Sequence, residues 1–169
     1  MSAVTQLVHS LVTSRIDYCN SLLSGVPMYM TDQLQRVHNT AARIVTRSNP
    51  EHITPVLESL HWLKIRYRIR FKILLLTYKC INGLAPEYLS SLVVPYCPKR
   101  VLRSATQCRL TIQNARLKTQ GDRSFRVASQ KEWNQLPLHI KLAPSVDSFK
   151  TKLKTFLFKQ CFGSMDSIK

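Results

Sequence analysis

The sequence predicts a mainly α-helical fold, a helical bundle with a small β element in its C-terminal half, and three observations carry that prediction. Apolar residues recur at three- and four-residue steps through most of the chain. The stretch 64–81 continues without a turn signal until Asn82-Gly83. One short segment, Arg109, Leu110, Thr111, Ile112 and Gln113, alternates as a strand does and is followed by the turn pair Gly121-Asp122.

In chain order, residues 4–23 read as one helix, with Val4, Leu7, Leu11, Tyr18 and Leu22 on a common face and Gly25 and Pro27 closing it. A second helix starts from Thr31 or Asp32 as N-cap, with Leu34, Val37, Ala41 and Ile44 on one stripe and Arg36 and Arg43 on another. After a turn-rich stretch at 48–55, Val56, Leu57, Leu60, Trp62 and Leu63 suggest a short helix and a packed corner with Trp62 in the core.

Residues 64–81 carry Lys64, Arg66, Arg68, Arg70, Lys72 and Lys79 without one acid. As a strand, the basic residues 64, 66, 68 and 70 would line one face. Length decides for a helix, because eighteen residues are long for a strand and ordinary for a helix. Its apolar residues then form two opposed arcs, Ile65, Ile69, Ile73, Leu76 and Cys80 against Tyr67, Phe71, Leu74, Leu75 and Tyr78. Such a helix is sandwiched between neighbours, its long cations reaching out of the seams.

Pro95 and Pro98 place a boundary near residue 95, after a short helical turn that begins at Glu87. The small β element is expected over about residues 102–120, before the turn pair Gly121-Asp122. Residues 124–133 resume helical spacing up to Pro137. A last helix follows Ser145 as N-cap, with Asp147 in its first turn and Phe149, Leu153 and Phe156 as its stripe. The resulting division is 1–95, a basic helical region; 96–160, a region with the β element and terminal helices; and 161–169, a frayed tail.

Charge is the unusual feature. The 169 residues hold 25 Lys plus Arg against 9 Asp plus Glu, a formal net charge of +16, while 44% hydrophobic content is ordinary for a domain with its own core. A surface so unbalanced gains free energy by meeting a polyanion, because each neutralised phosphate releases condensed counterions. RNA or an RNA–DNA duplex is the expected partner. No small-molecule substrate, cofactor or membrane is expected: no apolar run approaches the roughly 20 residues of a span, and no basic start marks a secretory signal. The expectation is an intracellular protein, nuclear or cytoplasmic. Five irregularly spaced cysteines suit buried or free thiols in a reducing compartment.

Catalytic patterns are missing from the sequence. The nine acids stand singly, without the clustered carboxylates that hold two metal ions, and the four glycines are isolated, which excludes a phosphate loop. No Ser is bracketed by glycines as in a hydrolase elbow, and no Cys-x-x-Cys occurs. A zinc site would have to combine Cys97, Cys108 and a remote His52 or His61. The expectation is no catalytic residue and no metal site.

Several strings resemble, in order, the C-terminal portion of jockey-like, LINE-type retrotransposon reverse transcriptases. They are Asp17-Tyr18-Cys19-Asn20, residues 34–43 from Leu34-Gln35-Arg36 onward, His52-Ile53-Thr54-Pro55, Leu60-His61-Trp62-Leu63, residues 70–79, Gly83-Leu84-Ala85-Pro86, Leu102-Arg103-Ser104, residues 121–125, Trp133-Asn134-Gln135-Leu136-Pro137 and Ser148-Phe149-Lys150. The resemblance covers almost the whole chain. It implies a thumb-like part that lies downstream of the polymerase and endonuclease centres, grips template RNA or the primer–template duplex, and acts beside an upstream polymerase domain. No catalytic residue carries over.

On both grounds the candidate phosphate-binding residues are Lys64, Arg66, Arg68, Arg70, Lys72, Lys79, Lys99, Arg100, Arg103, Lys150 and Lys154, with Arg66 and Arg70 foremost. Two other readings use the same sequence: an inert translated remnant of a truncated element, and a helical adaptor for acidic protein partners.

Overall fold

The computed structural model describes residues 3–97, 107–114, 117 and 121–163, and all regular structure among them is helical. Packing divides the chain into two compact units. Unit 1 takes the chain up to Ile69 and again from Thr155, and unit 2 takes Arg70–Lys154. The proline-rich segment at 95–98 therefore falls within unit 2.

In unit 1, α1 (Ala3–Val8), a π-helical turn (His9–Thr13) and α2 (Ser14–Asp17) follow one another with helical dihedrals at each junction. Tyr18 is extended and Cys19 left-handed (φ 52°), so the chain turns before a 3-10 turn at Asn20–Leu23. This corrects the single helix expected over 4–23. Of the expected face only Val4 packs inward. Val8 and Ile16 are buried and Val4 and Val12 pack on the same core, whereas Leu7, Leu11, Tyr18 and Leu22 stay exposed. The π turn is the reason, since its wider i→i+5 geometry keeps the row 4, 8, 12, 16 in line instead of letting it drift.

α3 (Met28–Thr46) starts one turn earlier than Asp32 because Pro27 serves as the flanking residue, its carbonyl accepting the Met30 N–H at 3.1 Å. It buries Thr31, His38, Ala41 and Ala42, so of the expected stripe only Ala41 is in the core and Val37 and Ile44 face outward. α4 (Thr54–Ser59) carries Pro55 in its first turn, where a missing N–H costs nothing, and is followed by left-handed His61 and buried Trp62. Ala41, Ala42, Leu57, Trp62 and Phe162 surround Val8 in one core. The Trp62 indole lies 5.3 Å from the His9 ring and 5.1 Å from the His38 ring.

α5 (Ile65–Ile81) is the helix that length favoured over a strand. Its residues 65–69 belong to unit 1 and residues 70–81 to unit 2. Ile73 and Cys80 from one expected arc and Leu74 and Tyr78 from the other are all buried, so both faces are used. After α6 (Glu87–Ser90), α7 (Phe125–Asn134) buries Val127, Ala128 and Trp133. The short α8 (Leu138–Lys141), which the sequence pattern did not indicate, starts after Pro137. The Tyr78 ring stacks on Phe149 at 4.2 Å and its hydroxyl donates to the Ala143 carbonyl at 2.7 Å.

α9 (Val146–Phe162) is capped as expected, Ser145 Oγ accepting the Ser148 N–H at 3.2 Å. Phe149, Leu153 and Leu157 form its fully buried row, with Phe156 half-buried. The helix also corrects the frayed tail at its near end. Cys161 and Phe162 are helical and Phe162 is buried, while residues 164–169 lie outside the described set.

The expected β element is not seen among the described residues. One isolated antiparallel bridge joins Pro95 to Leu110, with Tyr96 N–H donating to Arg109 O and Thr111 N–H to Val94 O, both at 2.9 Å. Side-chain amides of α7 hold the segment's other backbone groups. Asn134 accepts the Leu110 N–H at 2.8 Å and donates to the Leu110 carbonyl at 2.9 Å, and Gln130 accepts the Gln113 N–H at 2.9 Å. An extended segment satisfied in this way needs no neighbouring strand. The other residues of 102–120 on which the element was expected lie outside the described set, apart from Gln107, Cys108, Asn114 and Leu117.

Candidate nucleic-acid interface

Unit 1 contains a groove of about 380 Å³ built from three elements. α3 supplies Thr31, Asp32, Gln35 and Asn39; α4 and its approach supply Ile53, Thr54 and Leu57; and the start of α5 supplies Lys64, Ile65, Arg66 and Tyr67. Gln35 and Asn39, four apart on α3, are joined by an amide hydrogen bond of 2.8 Å. Gln35 Oε1 also accepts the Ile65 N–H at 2.8 Å, so one amide lines the groove and caps α5.

The electrostatics of this helix start run against the ordinary preference. A helix N-terminus carries a partial positive charge that favours acids, yet α5 has no acid in its first turn and begins with Lys64 and Arg66. Such an arrangement stabilises an anion placed there and costs the free protein a few tenths of a kcal/mol or more per charge, on the order of 0.3–1 kcal/mol. Asp32 is the one carboxylate lining the groove. Lys64 is half-buried with its ammonium 5.6 Å from the Phe162 ring centroid, which fixes the stem. Arg66 is exposed and has no ion-pair partner among the described residues.

The other expected cations are placed differently. Arg68 bonds Asp17 through Nε at 2.8 Å and through Nη2, and Arg70 Nε donates to Glu132 at 2.7 Å. Lys72 and Lys79 are half-buried on the unit 2 part of α5. Lys150 pairs with Asp147 at 3.0 Å, and Lys154 is exposed. Lys99, Arg100 and Arg103 lie outside the described residues. Of the candidate set, the structure gathers Lys64 and Arg66 in one groove. Its polar floor from Gln35, Asn39 and Thr54 was not anticipated, although the i,i+4 amide pair was a visible signal.

Beside the groove, His38 is fully buried and neither ring nitrogen has a hydrogen-bond partner among the described residues. Burial, reinforced by Arg68 and opposed by Asp17, pushes its pKa down to about 4, so the ring is neutral at pH 7. None of the five cysteines forms a disulfide. Cys19, Cys97 and Cys108 are exposed, and burial raises the Cys80 and Cys161 thiols. Among the described residues no three His, Cys, Asp or Glu side chains converge as a metal site, and no helix is long and apolar enough to cross a membrane.

No protein-family model, no curated protein and no solved structure matches this chain.

Proposed function

We propose that the chain is a non-catalytic nucleic-acid-binding module that grips backbone phosphates, with the Lys64–Arg66 groove as its anchor. The observation that carries this is the cationic start of α5: two basic side chains, a helix terminus with no acid in its first turn and hydrogen-bonding amides share one open groove. The net charge of +16 supplies the long-range attraction. The resemblance of the sequence strings to a LINE-type reverse transcriptase favours RNA or a primer–template duplex as the polymer, and a retrotransposon fragment as the origin.

The test is binding of single-stranded RNA and of an RNA–DNA primer–template between about 50 and 200 mM salt. Lys64→Ala/Arg66→Ala is compared with Lys150→Ala, whose ammonium is paired with Asp147. The double variant weakens binding about tenfold and flattens the salt slope by about one to two, while Lys150→Ala binds nearly as wild type. Equal binding by all three chains refutes the assignment of this groove.

A further inference from the structure

A second groove in unit 1 has the opposite chemistry. It is about 310 Å³, lies between the π turn region and α3, and is lined by Val8, Val12, Val37, Ala41 and Ile44 with Arg36 and Thr40. Val37 and Ile44, seven apart on α3, are 50% and 53% exposed, and Leu11 on the facing segment is 67% exposed. α3 therefore turns Gln35 and Asn39 to the polar groove and Arg36, Val37 and Thr40 to this apolar one.

We propose that this groove docks an acidic amphipathic helix of another protein. Shape supports a helix: the site is a concave trough beside a helix, and such troughs accept apolar anchors at i, i+3 or i+4, and i+7. The π turn contributes Val12 to the wall opposite α3, and such turns concentrate at functional sites. Charge selects the partner. Arg36 lines the trough, Arg43 and Arg47 follow it on α3 and its cap at seven- and eleven-residue spacing, and Arg15 stands four residues after Leu11. No carboxylate occurs in residues 3–16 or 33–50. A second copy of the chain is disfavoured, because a two-fold contact would set Arg36 against Arg36 on two chains of net charge +16.

The experiment uses the whole chain and a labelled helix-forming peptide with leucines at i, i+3, i+4 and i+7 and glutamates elsewhere, read by fluorescence anisotropy at about 0.15 M salt. Saturable binding is expected, at least tenfold weaker for Ile44→Glu, for Val37→Glu and for a peptide of the same composition in scrambled order. Both substituted side chains are half-exposed or more, and an unchanged thermal melt establishes that the variants are folded. Three results overturn the proposal: no binding, equal binding of the scrambled peptide, or a dimer by sedimentation that Ile44→Glu dissociates.

Discussion

Arg68 grips Asp17 with two parallel bonds, its Nε donating to one carboxylate oxygen at 2.8 Å and its Nη2 to the other. The receptor exists because α2 stops at Asp17, Tyr18 extends and Cys19 turns left-handed, which brings the Asn20 amide to 3.3 Å from the same carboxylate. The string Asp17-Tyr18-Cys19-Asn20 thus builds a clamp for α5.

Breaking that clamp should cost stability and leave RNA binding in place. Asp17→Asn is expected to destabilise the chain by about 1–2 kcal/mol, less than a buried pair because the Asp17 side chain is 40% exposed. Arg68→Lys should recover little of it, since an ammonium cannot bond both oxygens in a plane. Denaturant midpoints measure both.

Arg66 and Arg68 should separate by phenotype although they are two residues apart. Arg66→Ala is expected to weaken RNA binding several-fold at unchanged melting temperature, whereas Arg68→Ala lowers the melting temperature first. A paired binding and thermal-shift measurement distinguishes them; loss of binding without loss of stability at Arg68 would contradict the clamp.

His38 should make stability pH-dependent. Its folded pKa of about 4 lies below the ordinary 6.5, so between those values the unfolded chain binds a proton that the folded chain does not. Stability is therefore fully present above pH 6.5 and declines as pH falls toward 4, by up to about 3 kcal/mol. His38→Leu should flatten this part of the profile and, by removing two unpartnered ring nitrogens, leave stability at pH 7 equal or higher.

Asn134 should hold the extended segment. Asn134→Ala removes both partners of the Leu110 backbone and is expected to cost about 2–3 kcal/mol, with the Leu110 amide losing its protection from hydrogen exchange. Retained protection would mean that the Pro95 bridge suffices.

Legibility in the sequence followed the range of the interaction. α5 and α9 were readable because length, caps and apolar repeats are local properties, and the Ser145 cap appears where it was expected. The phase of the first helix was not, because nothing in residues 9–13 announces a π turn. Alternation at 109–113 suggested a strand where the structure has one isolated bridge, and could not say that the backbone there is held by Asn134 and Gln130 of a helix. The basic run 64–79 was plain as charge. Which of its members are committed was hidden, because Asp17 and Glu132 lie 51 and 62 residues from Arg68 and Arg70. Gln35 was passed over since an amide on a helix gives no sign of which distant N–H it will cap.

The last turns of α9 place Phe158 and Phe162 in the core formed by Val8, Ala42 and Trp62. During synthesis the earlier-made unit therefore waits for its final pieces, while Arg70–Lys154, an unbroken stretch, has all its own residues sooner. At ordinary elongation rates the delay between Ile69 and Phe162 is on the order of ten seconds. Through that interval the Trp62 site lacks its closing aromatic, so part of the core of unit 1 can be covered only once the C-terminal turns of α9 have been made.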